Sequence, residues 1–395
     1  MDIITTTGDL VALCEALRGD EFITVDTEFM RESTFWPELC LIQIAGEQHQ
    51  AIIDPLAKGI DLSAFFALMD DKKVLKVFHA ARQDVEIIWY LGKVIPTPMF
   101  DTQVAAMVCG FGDQVGYEAL VRKLANAQID KSSRFTDWSR RPLSAKQLAY
   151  AMSDVTHLRD AYKALKKTLD ASGREPWLEE EMSILTTPAT YISRPEDAWK
   201  RVKFRPRNKK QLAVLMAVAA WREAEAQERN VPRSRVLKDD AIGELAQQMP
   251  TSQEALKELR AVPRGHSGSR IGEAIVSAVK SGLAMDPADV PFIREDRVIL
   301  SEQASAAAEV LRLVLKVLCE QEAIAGKLIA STSDLEAIAM DDEADVPALQ
   351  GWRRKLFGEV ALDVKHGKRG IVIANGRARI VPLSSETMAQ AQAAE

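Results

Sequence analysis

The chain reads as an α/β domain followed by an all-α region, and three observations carry that reading. Over residues 1–170, short β-branched apolar runs alternate with segments of helical periodicity. From Arg205 onward strand patterns nearly vanish and apolar stripes at helical spacing take over. Between the two, residues 171–204 carry Pro176, Pro188 and Pro195, which interrupt any long helix and mark a connector with some helix.

Taken in order, the first element is a helix over roughly residues 7–18. Strands are expected near 22–29, 38–45 and 50–53, and their short connections favour an antiparallel meander. A helix near 62–69 leads to a strand at 74–79, and a further helix covers about 81–91. A short strand at 99–101 precedes helices around 102–108, 117–124 and 144–169, the last opened by Ser144 as N-cap. In the second half, Leu212, Leu215, Met216 and Ala219 form the stripe of a strong helix over 211–228. A turn follows, then a helix with Asp239 near its cap, then one opened by Thr251 or Ser252, in a run ending near Leu283. Near the end, Asn375-Gly376 lies between two alternating runs, a strong hairpin signal. Beyond about Ser384 the residues are polar and Ala-rich and read as a frayed end.

Composition narrows the function. A length of 395 residues gives two or three domains, and 47% hydrophobic residues supply real cores. No apolar stretch approaches the ~20 residues of a membrane helix. Met1-Asp-Ile-Ile-Thr5 lacks the basic start and apolar core of a secretory signal, so the cytoplasm is the default, with no membrane and no protein partner evident. Cys14, Cys40, Cys109 and Cys319 form no CxxC pair and no zinc spacing. They read as small buried hydrophobes, with neither disulfides nor structural zinc expected.

The chemistry lies in three acidic fragments. Asp26 and Glu28 are two apart in a strand-like run, so both side chains point to one side of the sheet. Tyr150 and Asp154 are four apart on a helix and share a face. Asp84 stands at the start of a helix. A hard divalent cation prefers oxygen ligands and keeps several waters, so a few carboxylates suffice. Taken singly, each fragment is more often a solvated strand face, a packed ring with a surface charge, or an acid favoured by a helix N-terminus. His79 reads as a satisfied core histidine ending a buried strand. The weight comes from three acidic fragments at strand–turn–helix edges of one α/β pattern.

Val25-Asp-Thr-Glu-Phe29, Phe78-His-Ala-Ala-Arg-Gln-Asp84 and Tyr150-Ala-Met-Ser-Asp154 resemble the three exonuclease motifs of the DEDD superfamily, in its tyrosine-bearing subgroup. The helical run 205–284 resembles an HRDC domain, a small bundle that assists nucleic-acid binding. Residues 296–382 look like a second, divergent copy with a terminal hairpin, through the fragments 333–339 and 351–358. The chain as a whole is similar to the ribonuclease D family. The resemblance implies an RNase H-like mixed-sheet exonuclease domain over 1–170, a connector over 171–204 and two small helical HRDC bundles. It implies two divalent metal ions, Mg²⁺ or Mn²⁺. Asp26, Glu28 and Asp154 would hold the first, and Asp26 with Asp84 the second. Tyr150 would orient the attacking water; as a phenol titrating near 10 it is a poor general base. The implied activity is 3′–5′ exoribonuclease action on tRNA precursors and other structured RNAs, releasing nucleoside 5′-monophosphates.

The net charge of −6 counts mildly against a nucleic-acid enzyme; local patches answer it in part, with a solvated linker and a solvated loop as the plainer reading of them. Residues 200–210 hold seven cations and no acid, among them Lys203, Arg205 and Arg207. Residues 131–141 interleave Lys131, Arg134, Arg140 and Arg141 with Phe135 and Trp138, an arrangement that can track phosphates and stack bases. The helical half, 205–395, is expected to be dispensable for chemistry on short oligonucleotides. The alternatives are a 3′–5′ DNA exonuclease and a non-catalytic RNA-binding protein. No GxxxxGK[ST] points to a helicase, and no G-x-S-x-G or evident histidine partner points to a nucleophilic triad.

Overall fold

The computed structural model describes residues 3–133, 136–291 and 300–384. Its first part is a six-stranded mixed sheet in the order β1–β4–β3–β2–β5–β6. The strands are β1 (Ile3–Ile4), β2 (Phe22–Met30), β3 (Glu38–Ala45), β4 (Gln50–Ile53), β5 (Leu75–Phe78) and β6 (Met99–Asp101). β2, β3 and β4 form the expected antiparallel meander, while β5 and β6 add in parallel beyond β2. β1 pairs parallel with β4 and was not foreseen; two residues are too few to show a period.

Helices cover the sheet: α1 (Thr7–Leu17), α2 (Ser63–Asp70), α3 (Arg82–Gly92), α4 (Thr102–Val108), α5 (Tyr117–Leu124) and α6 (Ala145–Ser172). α6 is fixed at both ends. Ser144 and Gln147 form a reciprocal capping box, and Gly173 closes the helix in the left-handed region at φ 66°. Its long buried face lies on β2 and β3. The connector holds α7 (Glu175–Leu185), in which Pro176 starts the helix rather than stopping one, since the first turn needs no N–H from it. Burial pushes all four cysteine thiols up to about 11, which leaves them protonated and inert. No helix among the described residues is long and apolar enough to cross a membrane.

The helical half divides into two units with different attachments. The first comprises α8 (Lys209–Glu228), α9 (Arg233–Val236), α10 (Asp239–Gln248), α11 (Gln253–Lys257) and α12 (Arg270–Leu283), and it closes around its own apolar core. It docks on the loop after β2: Asn230 Oδ1 accepts the N–H groups of Phe35 at 3.1 Å and Trp36 at 3.0 Å. The Arg233 guanidinium covers the Phe35 ring at 4.5 Å, and Trp36 stacks on Tyr90 of α3 at 4.4 Å.

The second unit comprises α13 (Glu302–Glu322), α14 (Thr332–Met340) and a composite helix. That helix runs from α15 (Gly351–Arg353) through a π-helical turn (Arg354–Gly358) into α16 (Glu359–Lys365). The hairpin forms as expected, β7 (Arg369–Ala374) pairing antiparallel with β8 (Arg377–Pro382) around Asn375-Gly376. The Ala-rich tail past Ser384 lies outside the described residues. This unit shares one continuous core with the sheet domain, through residues such as Leu311, Val314, Leu328 and Ile338. Trp352 stacks on Trp177 of α7 at 4.5 Å, and Arg353 reaches Glu180, Glu181 and the Leu328 carbonyl. The Ala325 N–H donates to the Met107 carbonyl at 3.0 Å. Gly110 is required there, because a Cβ would fall 2.4 Å from the Ala323 carbonyl oxygen.

The shared core of the second unit argues against the expectation that chemistry on short oligonucleotides survives removal of residues 205–395. A chain ending at residue 204 would expose the face of α4 and α7 that the second unit covers. Each large apolar side chain left in water costs about 1.5–3 kcal/mol against a total stability of about 5–15 kcal/mol. The expected outcome is a poorly soluble fragment without a cooperative thermal transition. Cooperative unfolding at the full-length temperature, followed by near-UV circular dichroism, would show instead that the modules are independent.

Candidate active site

The site is built where β2 crosses α6. Period-two alternation puts Thr24, Asp26 and Glu28 on one face of β2. The Thr24 hydroxyl donates to the Val155 carbonyl of α6 at 2.8 Å, with the Ala45 carbonyl at 3.1 Å. That bond fixes α6 one residue beyond Asp154 and so brings Asp154 to β2. Carboxylate oxygens of Asp26, Glu28 and Asp154 lie within 4.8 Å of one another. A register irregularity between Glu28 and Phe29 ends the regular pairing with β3 at this point, as bulges beside sites commonly do.

Asp84 arrives from β5 through a tight turn into α3. Ala80 there has φ 58°, a left-handed conformation costing an alanine roughly 1–2 kcal/mol. Asp101, at the end of β6, offsets that strain. It accepts the N–H of Ala80 at 3.0 Å, of Ala81 at 2.8 Å and of Gln103 at 2.7 Å. The turn delivers buried Asp84 to Thr27, whose hydroxyl donates to it at 2.5 Å. Tyr150 stands one turn before Asp154 and hydrogen-bonds to it. The ring of Trp138 packs behind, 6.1 Å from that of Tyr150.

Burial and the Asp154 charge hold the Asp26 carboxyl well above the usual range. Burial and the Asp26 charge do the same to Asp84. Asp26 is therefore the acid that faces both others. Burial, with Asp154, Glu28 and Asp26 nearby, raises the Tyr150 phenol far above its usual value, so it keeps its proton and can donate but not act as a base. Oxygen-only donors, mutually repelling and partly dehydrated, suit one or two hard divalent cations.

A cleft of about 350 Å³ opens beside the carboxylates, with Asp26, Tyr150 and Asp154 on one side and His79, Tyr117 and Glu118 among its other walls. His79 is only partly the core histidine expected. Its Nδ1 contacts the Thr102 hydroxyl at 2.9 Å, but the ring borders the cleft, with its centroid 5.4 Å from that of Tyr117. Tyr117 donates to the Ser153 carbonyl at 2.9 Å, beside Asp154. No local pattern marks Tyr117; it opens a short helix after a glycine-rich loop and gains its position from the packing of α5 on α6.

The basic segments fare differently from the acidic fragments. Trp138 is buried, 2% exposed, among Cys40, Leu41 and Met152, so it supports Tyr150 and has no face for a base. Arg141 lies at the surface, but its guanidinium is taken up by contacts within the fold. Its guanidinium grips both oxygens of Asp54 at 2.6 and 2.7 Å and the Cys40 carbonyl at 2.7 Å. Arg140 is exposed and paired with Asp137. Arg134 and the side chain of Lys131 lie outside the described residues. Lys203, Arg205 and Arg207 are exposed, and none of them lines the cleft. They alternate with Val202 and Phe204, which pack on the core of the first helical unit.

Known proteins resemble this chain over most of its length. A family described as 3′–5′ exonuclease matches residues 1–170, and the HRDC domain family matches 211–279. The ribonuclease D of Nitrobacter hamburgensis is 53% identical over 95% of this chain and 98% of its own length. That of Bartonella henselae is 45% identical over 95% and 93%. The crystal structure of Escherichia coli RNase D, an exoribonuclease involved in structured RNA processing, superposes with a TM-score of 0.79. It is 28% identical, over 92% of this chain and 98% of that one.

The carboxyl shifts give a prediction with a definite sign. Folded-state values raised above the ordinary 3.8 mean that Asp26 and Asp84 favour the fold when protonated. This contribution is complete below the unfolded value and is lost as pH rises through the folded one. A divalent cation relieves the repulsion near neutral pH but competes with protons in acid. Mg²⁺ is expected to raise the melting temperature more near pH 7 than at about pH 5. Asp26→Asn is expected to raise the metal-free melting temperature near neutrality and to abolish the response to Mg²⁺. An undiminished response in that variant, measured by scanning calorimetry, would remove the carboxylates from the metal site.

Proposed function

Because the chain belongs to the ribonuclease D family and is a 3′–5′ exoribonuclease, we propose that it trims 3′ ends of tRNA precursors and other structured RNAs by two-metal-ion hydrolysis. The observation that carries the mechanism is the meeting of Asp26, Glu28 and Asp154 within 4.8 Å, with Asp84 and Tyr150 at their flanks. Asp26, Glu28 and Asp154 would hold one Mg²⁺ or Mn²⁺, and Asp26 with Asp84, directly or through water, would hold a second. When bound, such ions lower the pKa of the attacking water and stabilise the charge of an in-line displacement.

The chain's own residues do the rest. Tyr150, kept neutral by burial and its acidic neighbours, donates a hydrogen bond that orients the attacking water, as in the tyrosine-bearing subgroup. Thr27 holds Asp84 in place by a hydrogen bond to one carboxylate oxygen. The cleft between His79, Tyr117 and Tyr150, about 350 Å³, has room for one terminal nucleotide. Water adds to the last phosphorus and the 3′-oxygen of the preceding nucleotide leaves. The products are a nucleoside 5′-monophosphate and an RNA one nucleotide shorter with a free 3′-hydroxyl. Residues 205–284 act as the HRDC module, with Lys203, Arg205 and Arg207 at its entrance as candidate phosphate contacts. Residues 296–382 serve as a second, divergent copy. In keeping with that reading its described residues hold α13, α14 and the composite helix; the terminal hairpin departs from it.

The test is incubation of a 3′-extended tRNA precursor and a matched DNA strand with Mg²⁺, with Mn²⁺ and with chelator, resolved on a sequencing gel. Single-nucleotide shortening of the RNA that needs metal and is slower on DNA is expected; intact RNA under every metal would overturn the proposal. Tyr150→Phe is expected to lower kcat by about 10²-fold, the scale of a misplaced reacting group, and to leave metal affinity nearly unchanged. An unaltered kcat would take Tyr150 out of the mechanism.

A further inference from the structure

The terminal hairpin carries charge that the catalytic site does not use. Between residues 364 and 384 the sequence holds Lys365, Lys368, Arg369, Arg377 and Arg379 and no acid, in a chain whose net charge is −6. Three of these cations are matched by acids outside the segment. Lys365 pairs with Asp342, while Lys368 and Arg369 pair with Asp363. Arg377 and Arg379 make no ion pair with the described residues and are exposed.

The register shows what faces outward. Ile371 opposes Ile380, and both pack against the main core; β8 lies on α13 and β7 on α16. Arg379 opposes Val372 and Arg377 opposes Ala374, so the two arginines share the other face of the ribbon. Two positions apart on one strand, they stand about 7 Å from each other. Ile373, 81% exposed, overhangs the packed face near the turn. None of these residues lines the catalytic cleft.

We propose that the hairpin is a second RNA-contacting element, an arginine-faced β-ribbon that grips the phosphate backbone of a paired segment while the 3′ end occupies the cleft. The proposal rests on the exoribonuclease reading for the identity of its ligand. Charge selects the occupant: a strand from another protein would use the ribbon's open edges and needs no row of unpaired arginines. Planar guanidinium groups match phosphate oxygens two at a time. In A-form RNA the deep, narrow groove hides the base edges, so contact falls on phosphates and 2′-hydroxyls and carries little sequence preference. The anchored face of Ile371 and Ile380 holds the arginines in place before RNA arrives, so little ordering is lost on binding.

The test uses the full-length protein and the R377A/R379A variant, with a 3′-tailed RNA hairpin and a short single-stranded RNA as ligands. Affinity is read by fluorescence anisotropy over a salt series in chelator, which prevents trimming. Affinity of the variant for the RNA hairpin is expected to fall about tenfold and its salt slope by about two, one per lost phosphate contact. Short-strand binding, trimming rate with Mg²⁺ and melting temperature are expected to stay unchanged, and R377K/R379K to keep the salt slope. Equal affinity and slope for variant and parent would overturn the proposal and leave the open edges to a protein partner. An equal loss on both RNAs would also overturn it, since the arginines would then serve the fold or the cleft. A parent protein that binds neither RNA would undo the RNA-processing premise instead, and there variant and parent would not differ.

Discussion

Asp26, Glu28 and Asp154 stand within 4.8 Å of one another, partly out of water, and much of the surrounding architecture serves to hold that repulsion in place. Thr24 fastens the Val155 carbonyl to the sheet one residue from Asp154. Asp101 ties the strained turn at Ala80, and through it Asp84, to the end of β6. Both anchors are buried hydrogen bonds from elements distant in sequence, worth more than surface contacts because losing one leaves a polar group unpaired. The cluster is strained as a stand-alone arrangement and suited to a cation, a trade common at sites whose chemistry needs charge held close together.

The two helical units meet the sheet domain by different physics. The second shares an apolar core with it and is welded at α7 by stacked tryptophans and by Arg353. The first keeps its own core and docks through one asparagine and two aromatic residues on the loop that leaves β2. Continuous burial makes the second unit part of the enzyme's fold. The smaller dock of the first combines the Asn230 hydrogen bonds with a separate apolar cluster of Phe35, Ala226 and Val236.

Much was legible in the sequence wherever a local rule sufficed. The spacing of Asp26 and Glu28, and of Tyr150 and Asp154, specifies shared faces through the strand and helix periods alone. Ser144 and Gln147 announce the start of α6, and Asn375-Gly376 announces the hairpin turn. The misreadings are equally specific. Trp138 among cations looked like a base-stacking platform, yet an indole beside Cys40 and Met152 gains more from burial than from water. Arg141 looked like a phosphate contact, but its partner Asp54 lies 87 residues earlier. His79 was half right, with one ring nitrogen satisfied and the ring still bordering the cleft.

The sequence by itself determined which atoms could do chemistry: oxygen donors in pairs, each pair oriented by a backbone period of two or 3.6 residues. It also determined the order of the elements and the local caps and turns that begin and end them. Only the tertiary structure decided which charges remain available. Arg141 is spent on Asp54 and Lys365 on Asp342, while Arg377 and Arg379 stay exposed. It also decided that residues 300–384 belong to the same core as the sheet. The reason is one of range. Periodicity and capping act over a few residues, whereas the partner of a buried charge or an apolar face is set by chain segments that meet only on folding.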